Sequence, residues 1–209
     1  LFGRIGIMAY YFIYILKEPV LMAGFATAMS AGLLAVNFYA PFLLNRFSKK
    51  YVGAAGCIAQ ALCCVWFFII GENGLTGMVI LSGFVYGFTN LVSITCFTLS
   101  AEVIDDNWLK TGVRSDGVIQ SCVSFSTKLG NAIGGSVGIL ALSAVGYVAN
   151  SETMSPMVLT HMDMVINFAP AVFYITAAVL FLCVGMTREK AKENEKTIAK
   201  KIATGEIGI

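Results

Sequence analysis

Lys128 stands alone in a stretch that otherwise carries no charge from 117 to 150. An ammonium in that much apolar sequence needs compensation wherever the segment settles. On a helix, residues three and four apart share a face. Stepping from Lys128 at those intervals collects Ser121, Ser124, Asn131, Gly135 and Gly138, a polar and small stripe on a segment otherwise rich in Val, Ile, Phe and Leu. Lys128 is eleven residues past Gly117. At ~1.5 Å of rise per residue it lies ~16 Å along, near the middle of a hydrocarbon core ~30 Å thick. Ionisable side chains at that depth face a bundle interior or a water-filled cavity and mark a substrate or ion path. Thr127, Gly130, Gly134 and Gly138 form a second stripe of small residues, which lets helix backbones approach closely in lipid.

Arg4 is the other cation inside an apolar run, and Tyr11, seven residues on, shares its face. Tyr86, Asn90, Ser93, Phe97 and Ser100 keep three-four spacing, and Asn167 and Tyr174 lie seven apart. Together these stripes point to a polar-lined interior able to bind a hydroxyl-rich ligand. Hydrolytic chemistry is missing. The single histidine, His161, lies near Met162 and Asp163 in a connection, and there is neither G-x-S-x-G nor a pair of carboxylates in an apolar run. The six cysteines lack C-x-x-C spacing, so they read as inert thiols and no metal set is expected in the chain. No Asp or Glu falls inside an apolar run. The acidic partners of Lys128 and Arg4, and the ligands of any coupling ion, are therefore expected outside this chain.

The elements that must hold these residues are membrane spans. Of 209 residues 57% are apolar and 12% charged, about half the charge of a soluble domain. The apolar residues form six runs, 5–16, 20–45, 51–71, 73–101, 117–150 and 164–187, and five of them reach the ~20 residues a bilayer-crossing helix needs. The first run is short because the chain starts within it without a Met, so Leu1 reads as a cut end, and no signal-peptide cleavage site follows it. Six spans leave alternating connections. Arg46, Lys49, Lys50, Lys110, Arg114 and the six basic residues after Thr187 share one side by parity, with Lys17 alone opposite. The positive-inside rule places that basic side, and the C-terminus, in the cytoplasm. The chain divides into a six-helix transmembrane unit, 1–187, and a charged tail, 188–209, expected as a solvated helix or disordered.

The segment AEVIDDNWLKTGVRSDG (101–117) followed by SFSTKLGNAIGG, with AYYFIYIL (9–16) and NRFSKKYVG (45–53), resembles the glycoside–pentoside–hexuronide:cation symporters of the major facilitator superfamily. The resemblance covers essentially the whole chain as helices 7–12 of such a transporter and implies an all-α integral membrane fold. It implies cation-coupled (Na+ or H+) symport of a sugar or glycoside by alternating access, in the cell inner (plasma) membrane. The family's eleventh-helix lysine falls at Lys128, beside the sugar and cation sites, with Ser124 and Thr127 at sugar-lining places. Asn131, Arg4 and Tyr11 complete the expected binding and coupling set. Glu102, Asp105, Lys110, Arg114 and Asp116 match the charged loop that closes the cytoplasmic side. Ser93 replaces the tryptophan that a melibiose carrier has in its tenth helix, which removes one stacking platform. The implied partners are the small-molecule sugar, the missing N-terminal half with its cation site, and the bilayer; no nucleic acid and no other cofactor is expected. A sodium-coupled lysolipid carrier of the same fold is the alternative reading, and an intramembrane enzyme the remote one.

Overall fold

A computed structural model describes residues 2–70, 76–148 and 154–204. The apolar runs become helices because a backbone in hydrocarbon must satisfy its own N–H and C=O groups. In order these are α1 (Phe2–Tyr10), a π-helical turn (Tyr11–Ile15), α2 (Pro19–Arg46), α3 (Lys49–Ile70), α4 (Thr76–Phe88), α5 (Val92–Thr111), α6 (Asp116–Ala144), α7 (Pro156–Cys183) and α8 (Arg188–Ala203). Proline at the first helical position opens α2 and α7, where its missing N–H costs nothing. The Ser155 side chain accepts from Val158 N to cap α7. Gly112, at φ 71°, closes α5 in the left-handed conformation glycine tolerates.

Four stretches are long and apolar enough to cross a membrane: Pro19–Arg46, Lys49–Ile70, Thr76–Thr111 taken across its break, and Pro156–Cys183. Gly6–Ile15 is apolar but shorter. α6 has the length, 29 residues, but its Ser, Asn, Gly and Lys positions keep it less apolar than the other four. The six expected spans thus divide into four strong ones, a short one and a polar one.

α1 and the π turn form the hub. Ile7, Met8, Tyr11, Phe12 and Ile15 pack with Phe25, Phe67, Ile70, Val79, Leu142, Met162 and Ile166 from the surrounding helices. In the π turn Leu16 N reaches back to Tyr11 O at 3.0 Å, so the wider turn shifts the register of the tyrosines. Tyr10 and Tyr14 are carried against Tyr147 at the far end of α6, with ring centroids 5.1 and 5.4 Å from it. α2 packs on α4 and α3 on α7. The α2–α4 contact is backbone on backbone: a Cβ on Gly87 would collide with Met29 O and one on Gly32 with Phe84 O.

The sequence reads 73–101 as one span, but the chain breaks it at 89–91. Asn90 N bonds Gly87 O and Leu91 N bonds Thr89 O, which releases Tyr86 O and Phe88 O from the helical ladder. Two neighbouring helices take them over. Gln60 Nε2 of α3 donates to Tyr86 O at 2.7 Å and to Thr89 Oγ1 at 2.8 Å, and the Tyr39 hydroxyl of α2 donates to Phe88 O. Of the two forms expected for the tail, residues 188–203 take the helix, with no residue buried, and polar contacts tie it to the bundle. Arg188 donates to Arg46 O at 2.8 Å, and Lys190 and Asn194 reach Asp106 of α5 at 2.9 and 3.2 Å.

Three substitutions test this packing. Gly87→Val forces α2 and α4 apart and is expected to cost about 1–3 kcal/mol, read as a lower unfolding midpoint in detergent, whereas Gly130→Ala, with open space at its Cβ, is expected to hold the midpoint or raise it slightly. Gln60→Leu leaves the Tyr86 carbonyl only the longer bond from Thr89 Oγ1 at 3.3 Å and is expected to cost about 1–3 kcal/mol, with hydrogen exchange rising at 86–92 ahead of the rest.

Candidate functional site

Halfway along the bundle the polar residues gather in two places. The first is buried. Arg4 is 5% exposed, with its guanidinium carbon 4.6 Å from the Tyr86 ring centre and 5.5 Å from that of Phe67. Such ring faces attract a cation. Its Nη2 donates to Asn167 Oδ1 at 3.0 Å, and Asn167 Nδ2 in turn donates to Asp163 Oδ1 at 2.7 Å. The Tyr86 and Tyr174 hydroxyls meet at 2.8 Å beside it. Tyr11 shares the Phe67 contact with Arg4, at 5.0 Å between rings, so the two residues paired by seven-residue spacing do converge on one neighbour.

Asp163 overturns one expectation. A carboxylate does lie inside a membrane-length helix, because α7 starts at Pro156, eight residues before the apolar run, and carries Asp163 inward to 9% exposure. The negative group linked to Arg4 through Asn167 therefore belongs to this chain. The signal that locates it is the Ser155-Pro156 start, not the hydropathy. Asn167 and Tyr174, singled out by spacing, both belong to this cluster.

The second place is the outer face of α6. Ser124, Thr127, Lys128 and Asn131 are all exposed, and Leu142 is the one residue of α6 that this bundle buries. Thr127 Oγ1 returns its proton to Val123 O at 2.9 Å. Within this chain Lys128 is exposed and makes no ion pair among the described residues. It also points away from Arg4. The α6 residues facing α1 and α7 are Gly130, Ile133, Gly134, Val137, Gly138 and Ala141, and at ~3.6 residues per turn Lys128 sits about 150° round the helix from their mean direction. The expected binding set therefore splits, with Arg4 and Tyr11 inside and Lys128, Ser124, Thr127 and Asn131 on the open face. On α2, Ser30 and Asn37 are likewise exposed and bond only their own helix, at 2.8 and 2.7 Å.

The stripe read across 86–100 is divided by the helix break. Tyr86, Asn90 and Ser100 are buried, while Ser93 and Phe97 are exposed.

The charged end of the bundle is paired within the chain. Lys49 of α3 meets Glu102 of α5 at 2.9 Å, and Arg114 meets Asp116 at 2.8 Å while stacking on Trp108. Asp105 makes no ion pair among the described residues. The hub is Asp106, absent from the expected set, which takes Lys110 at 2.7 Å and Lys190 at 2.9 Å. Asn194 of α8 adds a third bond to the same carboxylate, at 3.2 Å. Two of its three partners cannot be read from sequence spacing, because Lys190 and Asn194 come from α8, some eighty residues away. No group of His, Cys, Asp or Glu among the described residues is placed to hold a metal ion.

A broken helix beside polar residues in an otherwise apolar bundle is an arrangement that transporters use at their binding sites. A profile of the family described as MFS/sugar transport protein matches residues 1–188. The chain belongs to that family. It is 31% identical over 183 residues to an isoprimeverose transporter of Lactiplantibacillus pentosus, covering 86% of this chain and 37% of that protein. It is 25% identical over 185 residues to a glucuronide carrier protein homolog of Escherichia coli K12, covering 88% and 40%. A putative glycoside/cation symporter, YagG, of the same organism is 25% identical over 207 residues, covering 97% and 44%. The chain thus spans about two fifths of the length of these relatives. This family member is a multi-pass membrane protein, and the enzyme reading is set aside.

The Asp106 hub yields a test. Asp106→Ala removes the carboxylate that ties α8 to α5, while exposed pairs of this kind contribute only ~0–1 kcal/mol each. The expected result is faster proteolysis or hydrogen exchange across 188–203 with the unfolding midpoint of the bundle nearly unchanged.

Proposed function

We propose that the family member carries out cation-coupled symport of a sugar or glycoside, and that this chain supplies one six-helix half of the carrier. The observation that carries the reading is the open face of α6. It presents Lys128 with Ser124, Thr127 and Asn131, and it is matched on α2 by Ser30 and Asn37. An unpaired ammonium at mid-depth is costly against lipid, so this face fits against a second bundle and its acidic groups. Hydroxyl and amide side chains around a charge suit a ligand rich in hydroxyls. The names of the relatives, an isoprimeverose transporter and a glucuronide carrier among them, support a glycoside cargo.

In the proposed mechanism the two halves rock about this midplane layer and expose it to each side in turn. Carboxylates of the other half hold Lys128 charged and bind Na+ or H+, and Lys128 responds to that occupancy. The charged end, with Glu102, Asp105, Lys110, Arg114 and Asp116, lies on the cytoplasmic side together with α8. Glu102, Lys110, Arg114 and Asp116 already have partners within the chain. Closing the cytoplasmic side is then an exchange of partners among weak surface pairs, small enough to let the equilibrium move.

The test is uptake of labelled galactosides, pentosides and glucuronides by the complete carrier in right-side-out vesicles, with and without an imposed sodium or proton gradient. Gradient-driven accumulation of one of them is expected, and Lys128→Ala is expected to abolish it. Normal gradient-driven uptake by the Lys128→Ala carrier would sink the assigned role, and sodium-dependent movement of a lysolipid in place of any sugar would change the cargo.

A further inference from the structure

An apolar cavity of about 500 Å³ lies between α1, α6 and α7, on the side of α6 that faces away from Lys128. Gly130, Gly134 and Gly138 of α6 line it opposite Ala169, Phe173 and Ala177 of α7. The two ends of α6 are held differently. At the far end Leu142 is fully buried in the cluster of Ile7 and Met8, a Cβ on Gly138 would collide with Ile7, and Tyr147 packs on Tyr10 and Tyr14. From Ser121 to Val137, by contrast, this chain buries no residue of α6. Near the start Gln120 Nε2 reaches Ser100 Oγ at 3.3 Å, a long bond that is readily exchanged. The helix is thus pinned at one end and loosely held over the rest. The loose stretch also has a matching shape across the cavity. Gly146, just past α6, comes against Val158 of α7. The two helices run antiparallel from there, and sixteen residues along each bring Gly130 about level with Tyr174, beside Phe173. Phe173 is 69% exposed, and a Cβ on Gly130 would meet nothing within 4 Å. A ring without a pocket therefore stands opposite a notch without a side chain.

We propose that α6 is a swinging arm which, in another state of the complete carrier, pivots at Gly138 and closes this cavity on α7, seating Phe173 in the Gly130 notch. Small residues let helices approach closely in lipid, and atoms that face a gap forfeit their contacts. Gly138 is the pivot because it already rests on Ile7 with no space for a Cβ. Gly130 is eight residues from it and Lys128 ten, so a tilt of about 15° carries Gly130 about 3 Å and Lys128 about 4 Å. Gln120 gives up Ser100 in the same movement. The helix tilts as one piece, so closing the apolar side withdraws Lys128 from the open face. The proposal rests on the transport reading for the existence of a second state, and not on the identity of the cargo.

The experiment uses the complete carrier in lipid vesicles. In the double variant Gly130→Cys, Phe173→Cys the two sulfurs can join only when their Cβ atoms come within about 4 Å. Oxidation with copper–phenanthroline is expected to link the peptides that hold 130 and 173, read by mass spectrometry. The pair Leu129→Cys, Phe173→Cys, with one residue turned away from the cavity, is expected to stay unlinked. No link at 130–173, or an equal yield from the second pair, overturns the proposal. This arm needs no cargo, so its failure is distinguishable from failure of the sugar reading. The second arm is uptake of the sugar that the parent carrier accumulates. Gly130→Leu fills the notch, and is expected to slow uptake about tenfold or more while leaving the unfolding midpoint in place. Adding Phe173→Ala removes the ring that the leucine would strike and is expected to restore uptake to within about threefold. Parent-like uptake by Gly130→Leu, or a loss that Phe173→Ala does not restore, overturns the proposal even where the cysteine pair does not fold.

Discussion

A guanidinium keeps its charge at any accessible pH, and withdrawing it from water costs several kcal/mol unless neighbours replace the lost hydration. Arg4, 5% exposed, imposes that demand on the middle of this bundle. Three other helices answer it, α3 with the Phe67 ring, α4 with the Tyr86 ring and α7 with the Asn167 amide. The amide is itself oriented by Asp163, one helical turn nearer the start of α7. Compensation of one charge thus fixes the relative rotation of four helices. Apolar packing alone, which has little preference between protein and lipid tails, would leave that rotation poorly defined.

The second demand comes from the backbone. A helix interrupted in hydrocarbon must find partners for the carbonyls it releases, and α3 and α2 provide them through Gln60 and Tyr39. The two demands meet at Tyr86. Its ring faces Arg4, its hydroxyl contacts Tyr174, and its carbonyl accepts from Gln60. One residue thus belongs both to the break and to the shelter of the charge. The close glycine-lined approach of α2 to α4 brings Tyr39 within reach of the released Phe88 carbonyl.

How far this was legible from sequence varies with the kind of signal. Apolar runs marked the helices well, since length and composition alone select them. Their ends were less visible. α7 begins eight residues early because Ser155 and Pro156 make a helix start that hydropathy does not register, and Asp163 was hidden by that shift. The break at 89–91 contains neither Gly nor Pro, so no local residue announces it; the hint was Gln60, a lone amide in the run 51–71. Arg4 and Lys128 were both conspicuous, but spacing along one helix cannot say which neighbour a face meets. The structure puts one cation against three helices and leaves the other facing outward. Asp106 escaped notice for the same reason, because its partners come from α8 at the far end of the chain.

α6 is a rigid cylinder 29 residues long that carries Lys128 on one flank and the glycine-lined cavity wall on another. A cylinder cannot turn one flank without turning the other. A side chain about 5 Å from the axis sweeps about 2 Å when the helix rotates by about 20°, which is enough to break a hydrogen bond or close a gap the width of a methyl group. A rotation that moved Lys128 would also move the far flank, where Gly138 meets Ile7 with no room for a Cβ. The polar flank and the small-residue flank act as crank and bearing of one shaft.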